Sequence, residues 1–259
     1  MNNQAQKYRA YAKVNIFLKI RGKRDNYHTL FSRFIKVNSL YDTLYFQPSD
    51  SKEFEIVGNF SCKVQQNTIY KAYKALLEYT SSAKLKTFMI HNAIVVEKKI
   101  PAFAGLGGGS SDAATYLKMC NQELNLGLKV EELADIAIRV GADVPFFIYD
   151  YQSANVSGIG EVIEKFEEQA LELEVFTPQV EISTPAVFKT FREFYYKELS
   201  DEERTKLARM SSLEVLKNLN IKNANDLFES ALHLHPELKD YVKDGWFFSG
   251  TGSSFFKIK

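Results

Sequence analysis

The sequence predicts a fold built from strands and helices together, organised as one large unit or two tightly joined lobes. Three observations predict it. The 259 residues exceed one average domain and fall short of two. The opening stretch alternates apolar and polar residues as a strand does, and beyond about residue 150 the pattern shifts to short strands and polar helices. Apolar residues at 45% and charged residues at 25% match a globular domain with a sizeable core. No apolar run approaches the ~18 residues of a membrane-spanning helix. The polar first six residues lack the pattern of a secretory or transit peptide, so a bacterial cytoplasmic location is expected. A net charge of +1 leaves no electrostatic footprint for nucleic acid or an anionic membrane. Cys62 and Cys120 are too few and too scattered for a disulfide framework or a cysteine metal site, and read as ordinary thiols.

Over residues 8–20 the even positions are apolar (Tyr8, Ala10, Ala12, Val14, Ile16, Leu18, Ile20), while odd positions carry Arg9, Lys13, Asn15 and Lys19. This alternation predicts a half-buried strand with Lys13 and Asn15 projecting together from its non-core side. Gly22 and Asp25-Asn26 predict a turn, and strand-like runs follow at 30–37, 43–46 and 54–57. Asn67 fits the N-cap of a helix carrying Ile69, Ala72, Tyr73 and Leu76 on successive turns. Residues 87–96 read as a strand feeding a loop from Pro101 to Gly109. Ser110-Ser111-Asp112 then offers N-cap chemistry for a helix with an apolar stripe of Ala113, Ala114, Leu117, Cys120 and Leu124. A second helix is expected over about 130–140, ended by Gly141, with Pro145 holding Val144 extended. Strands are expected at 153–156, 162–166 and 173–183, and polar helices across 187–243. A closing hairpin is expected around Ser249-Gly250-Thr251-Gly252-Ser253-Ser254.

Four of the 13 glycines fall within Gly105-Leu106-Gly107-Gly108-Gly109. Glycines allow positive φ and close approach of backbone to a ligand, and a following helix start offers unpaired N–H groups at the positive end of its dipole. Together they make a phosphate cradle; the alternative is a mobile surface loop before a capped helix. The Walker spacing and the third glycine of GxGxxG are both absent, which disfavours those two designs. In the remaining design Ser110 or Ser111 holds a phosphate or its Mg²⁺ through the hydroxyl, and Lys98 or Lys99 neutralises phosphate oxygens. The alternative for those lysines is a solvated strand end. Asp143, in Gly141-Ala142-Asp143-Val144-Pro145 and followed by Phe146-Phe147, presents a carboxylate from a rigid turn beside an apolar wall. It is a candidate general base for phosphoryl transfer, or simply a turn former. Lys13 is the candidate cation beside it, or a solvated strand lysine. His233 and His235 do not face each other on a helix and read as surface residues.

In order along the chain, Ala12-Lys13-Val14-Asn15, Tyr27-His28, the run from Pro101 to Ala114, Gly141-Ala142-Asp143-Val144-Pro145-Phe146-Phe147 and Ser249-Gly250-Thr251-Gly252 resemble the GHMP small-molecule kinases. The resemblance covers nearly the whole chain; one departure is Phe103-Ala104, where smaller residues often precede the glycines. It implies a two-lobed α+β fold, with a ribosomal protein S5 domain 2-like ATP-binding domain over 1–150 and an α+β C-terminal domain over 151–259. It implies ATP with Mg²⁺, nucleotide phosphates along Pro101, Ala102, Phe103, Ala104, Gly105, Leu106, Gly107, Gly108, Gly109, Ser110 and Ser111, and Asn67 near the adenine. By the same resemblance Asp143 is the base, Lys13 its partner, and Asn15 lies close to the transferred group. The N-terminal Lys/Asn and Tyr-His pairs point to a small-molecule acceptor that is cytidine diphosphate-linked methylerythritol. Tyr27, His28 and Phe188 are the positions that would grip its base. The rival readings are a GHMP kinase with another alcohol acceptor, and a non-catalytic nucleotide- or RNA-binding module.

Overall fold

The computed structural model describes residues 5–24 and 27–259, excepting the side chains of Arg24 and Tyr27. The turn expected at Asp25-Asn26 therefore lies outside the described residues. The chain forms two compact units, both mixing helices and strands. The first takes residues up to Ala12, Asn38–Ile100 and Gly108–Asp150; the second takes Lys13–Val37, Pro101–Gly107 and Tyr151–Lys259. Strands β1 (Tyr8–Arg24) and β2 (Tyr27–Pro48) each contribute residues to both. The runs expected as separate strands at 30–37 and 43–46 are thus one strand. No Gly or Pro interrupts β2 before Pro48, and ladder pairing overrides the turn propensity of Asn38-Ser39.

In the first unit β3 (Ile56–Gly58) lies parallel to β4 (Asn92–Glu97), which runs antiparallel to the second half of β2 with Thr43 opposite Glu97. Helix α1 (Thr68–Thr80) begins as expected: Asn67 Oδ1 accepts from the Ile69 N–H at 2.9 Å. The strand expected at 87–96 is half wrong. Residues Ala83–Met89 form helix α2, capped by Ser82 and burying Leu85 and Met89 one turn apart. That cap and the i,i+4 pair outweigh the strand propensity of Thr87-Phe88.

Helix α3 (Gly108–Glu123) starts earlier than its composition suggests. Gly108 and Gly109 form its first turn, and Ser110-Ser111-Asp112 lie inside it rather than capping it. Ala113, Ala114, Tyr116, Leu117, Met119 and Cys120 of α3 are all fully buried, and α3 packs on α1 and on α5 (Val144–Tyr149). Helix α4 (Val130–Ile138) also packs on α5. Pro145 opens α5 instead of keeping Val144 extended, because a first-turn proline lacks only an N–H that has no helical partner anyway.

In the second unit the first half of β2 pairs antiparallel with β5 (Ser153–Gly158), Phe34 opposite Ala154, and β5 with β6 (Val162–Lys165). A smaller sheet holds β7 (Leu173–Phe176), β8 (Phe247–Phe248) and β9 (Phe255–Ile258) in the order β7-β9-β8. The closing hairpin pairs Phe248 with Phe255 as expected, whereas β7 stops before Thr177-Pro178. The remaining chain forms α6 (Thr184–Thr190) running into a π-helical turn Phe191–Tyr195, α7 (Asp201–Arg209), α8 (Ser212–Asn218), α9 (Ile221–Ala224) and α10 (Phe228–Leu234). Leu18, Ile20, Ile182, Val187, Phe191, Leu227, Phe228, Phe248 and Phe255 make one core cluster.

β1 corrects its expectation: it is not half-buried, because Lys13 and Asn15 are each only 3% exposed. A polar strand face can be covered only when its groups find partners. Here Lys13 bonds Asn15, and Lys19 pairs with Asp226, which also accepts the Ile20 N–H and pairs with Lys197. No described helix is long and apolar enough to cross a membrane.

Candidate active site

Three segments distant in sequence meet at the start of β1's second-unit portion. The Lys13 N–H donates to Leu106 O at 2.9 Å, and the Asn15 N–H donates to Ser249 Oγ at 3.3 Å across 234 positions of sequence. Ser249 Oγ–H in turn donates to Gly105 O at 3.0 Å, and the Ser254 N–H to Ala104 O at 3.1 Å. Gly105 must be glycine: its φ is +72°, and a Cβ there would stand 2.1 Å from Ser249 O. Asn225 holds the other side of the hairpin loop, donating from Nδ2 to Phe248 O at 3.0 Å and to Gly250 O at 2.8 Å. On this scaffold Lys13 Nζ donates to Asn15 Oδ1 at 2.7 Å and lies 4.3 Å from the centre of the Phe34 ring.

Ala104 and Leu106 are buried and pin the glycine segment, while Pro101, Ala102 and Phe103 are exposed, Phe103 with φ +53°. In the first unit, a Cβ on Gly108 would meet Ile100 at 2.8 Å, and Gly109 O accepts the Thr68 hydroxyl at 2.6 Å, tying the starts of α1 and α3. Ser110 is partly exposed and Ser111 buried. Asn67 is also buried, with Oδ1 occupied as the α1 cap.

Lys98 is no solvated strand end. Its ammonium bonds Asp42 Oδ2 at 2.5 Å and Asp112 Oδ2 at 2.7 Å, and Asp42 Oδ1 also accepts the N–H of Lys99 and of Ile100. Burial pushes Asp112 up to about 7 against the pull of Lys98; the neighbouring Asp42 raises it further, by charge and by a hydrogen bond that needs a proton. For Lys98, burial works against the ammonium, but Asp112 and Asp42 outweigh it and the pKa is raised.

Asp143 belongs to the first unit and is the N-cap residue of α5, with φ −82° and ψ −12°; it is partly buried, and the Val144 N–H closes a turn onto Gly141 O at 3.1 Å. His28 and Phe188 come together in the second unit. Their rings stack at 5.3 Å between centroids, so no base fits between those two, and Phe191 meets His28 edge-on. Burial, then Arg192 and Lys23, lower the His28 pKa, which keeps the imidazole neutral at pH 7; its Nε2 is buried without a hydrogen-bond partner among the described residues. The Tyr27 side chain lies outside the described residues. His233 is exposed against Phe194 and Tyr195, and His235 bonds Glu237. Cys62 is exposed and Cys120 buried, both as free thiols.

Ser249 and Asn225 are the residues that sequence reasoning missed. The first was visible only within a glycine turn, and the clamp made by the second carries no local signal, since the carbonyls its Nδ2 reaches lie more than twenty positions away.

The chain matches the GHMP kinases N terminal domain over residues 67–151. It is 58% identical over 256 residues to the 4-diphosphocytidyl-2-C-methyl-D-erythritol kinase of Sulfurimonas denitrificans, covering 97% of this chain and 96% of that one. It is 44% identical to the enzyme of the same name from a Sulfurovum species, covering 96% and 98%. A crystal structure of 4-(cytidine 5'-diphospho)-2C-methyl-D-erythritol kinase superposes with TM-score 0.72 at 30% identity, covering 98% of this chain and 90% of that one. Methanococcus jannaschii mevalonate kinase, at TM-score 0.61 and 15% identity, shares the fold. With an α+β fold of the GHMP type and this identity along almost its full length, the chain belongs to the 4-diphosphocytidyl-2-C-methyl-D-erythritol kinases of the GHMP kinase superfamily.

Proposed function

We propose that the protein transfers the γ-phosphoryl group of ATP to the 2-hydroxyl of 4-(cytidine 5′-diphospho)-2-C-methyl-D-erythritol, releasing ADP, in non-mevalonate isoprenoid precursor biosynthesis. The observation that carries the reading is the buried Lys13–Asn15 pair tied through backbone and Ser249 to Gly105-Leu106. A buried ammonium held against a glycine segment is the arrangement that balances phosphoryl charge. Pro101 to Ser111 cradle the triphosphate, with Asn67 at the adenine end. Lys98 acts on this cradle through Asp112 of α3, its ammonium being bonded to carboxylates.

As the acceptor oxygen bonds to the γ-phosphorus and the bond to ADP breaks, Asp143 takes the hydroxyl proton and Lys13 stabilises the developing charge. Asn15 orients Lys13. No cluster of three or more His, Cys, Asp or Glu among the described residues could hold a metal by itself. Mg²⁺ would be carried on the phosphate oxygens, with Ser110 or Ser111 supplying a hydroxyl to the phosphate or the ion. When bound, the ion neutralises phosphate charge.

Tyr27, His28 and Phe188 grip the cytosine, Phe188 backed by the His28 ring. Along the sequence the domains are 1–150 for ATP and 151–259 for the C-terminal part, a cut supported by the family match ending at 151, although residues 13–37 and 101–107 pack within the second compact unit. The protein works in the bacterial cytoplasm.

ADP release by purified protein with ATP and the cytidine diphospho-methylerythritol, against mevalonate, galactose and homoserine, tests the reading. Turnover with the first acceptor alone is expected; equal turnover with another would overturn the acceptor assignment. Tyr27→Ala should weaken the cytidine acceptor and leave ATP unaffected.

A further inference from the structure

We infer that Ser32 is a positioning residue that sets the orientation of the Asn15 amide and, through it, the Lys13 ammonium. The inference rests on the proposed role of Lys13 and extends it to a residue that no motif marks.

Ser32 is fully buried on β2, facing β1. Its hydroxyl hydrogen is committed, because Oγ–H donates to Phe17 O. The oxygen can then only accept, and it accepts from Asn15 Nδ2 at 2.9 Å. A side-chain amide has one donor end and one acceptor end. With Nδ2 fixed on Ser32, Oδ1 must point the other way, where it accepts from Lys13 Nζ at 2.7 Å. Flipping the amide would set an NH₂ against an ammonium and lose both bonds.

The backbone cannot supply this orientation. The Asn15 N–H to Ser249 Oγ bond fixes where the residue sits and leaves its amide free to turn. The Phe34 ring offers Lys13 a cation–π contact without direction along the strand. Ser32, which can only accept, and the Lys13 ammonium, which can only donate, both require the amide to face this way, and Ser32 is itself held by its bond to Phe17 O. The polarity runs Phe17 O, Ser32, Asn15, Lys13, with the donor-only ammonium closing the far end.

The test compares Ser32→Ala, Ser32→Cys and Ser32→Thr with Lys13→Met in steady-state kinetics on protein verified as folded by its thermal midpoint. Alanine removes the acceptor, cysteine keeps the volume with a weak acceptor, and threonine keeps the hydroxyl. We expect kcat to fall about 10-fold in the alanine and cysteine variants with KM for ATP and acceptor nearly unchanged, as for a misaligned catalytic group. Threonine should restore most of the rate. Should the alanine variant fail to fold, the cysteine and threonine pair decides alone. Full kcat in the folded Ser32→Cys variant while Lys13→Met is inactive overturns the role of Ser32 only. Equal losses with cysteine and threonine show that packing, not hydrogen-bond direction, is at stake, and also overturn it. Full turnover in Lys13→Met removes the proposed role of Lys13, and the inference with it.

Discussion

Lys13 illustrates how far a residue's surroundings depart from its sequence neighbourhood. Its place among the alternating polar residues of β1 fits a solvated lysine as well as a catalytic cation, yet it is 3% exposed and bonded to Asn15. A charge is buried at that cost only where its partners are arranged in advance. Asp143 occupies the contrasting setting, a partly buried N-cap at a short proline-opened helix backed by buried Phe146 and Phe147. If it is the base, Asp143→Asn should lower kcat by about 10²–10⁴ with ATP affinity nearly unchanged. Isothermal titration with a non-hydrolysable ATP analogue beside the rate assay separates the two; full turnover in the variant removes the assignment. His28 adds a pH limit. Its pKa is lowered, so the neutral ring's contribution to stability is present above the ordinary 6.5 and lost as pH falls through the depressed value. His28→Gln should therefore lose less stability on acidification than the parent, measured by urea midpoints at about pH 7 and about pH 5.

At the scale of elements, the hairpin loop between β8 and β9 is shaped from outside. Asn225, just after α9, supplies both N–H donors to Phe248 O and Gly250 O, and its own Oδ1 accepts the Leu227 N–H. Asn225→Ala leaves two buried carbonyls short of donors and should cost about 1–3 kcal/mol in chemical denaturation. An unchanged midpoint would show that other donors or water replace it. The glycine segment carries the opposite kind of residue. Phe103 is 55% exposed and holds φ +53°, a conformation that burdens a bulky side chain without evident packing in return. Phe103→Gly should raise stability by about 1 kcal/mol, and a fall in thermal midpoint would mean that the exposed ring is held by contacts worth more than the strain. The errors of expectation sit at this scale too. Helix α2 was hidden because Thr87 and Phe88 suit a strand, and its signal, Ser82 with Leu85 and Met89, overlaps the strand that follows. The start of helix α3 is hidden in the sequence because glycines are poor helix formers. Gly108 and Gly109 nevertheless start it, the first against Ile100 and the second bonded to Thr68.

At the scale of the molecule, one buried cluster ties stability to pH. Asp42, Lys98 and Asp112 place two carboxylates on one ammonium, and Asp112 is lifted to about 7. Folding therefore takes up a proton between the ordinary 3.8 and about 7. This group's contribution to stability is full below 3.8 and is lost as pH rises through about 7. Asp112→Asn should flatten that part of the profile, gaining stability at about pH 8 relative to about pH 5 in urea denaturation. An unaltered profile would show that Asp112 is ionised throughout. The strand alternation, the Asn67 cap, the closing hairpin and the family were legible in the amino-acid sequence alone, because each rests on residues within a turn or a strand of one another, or on motifs read in order. The hydrogen-bond chain through Ser32, the loop clamp by Asn225 and the three-way charge cluster were not. Each joins groups from separate stretches of chain, and which buried donor meets which acceptor is decided by tertiary packing, since desolvation makes an unpaired polar group costly only after folding has removed its water.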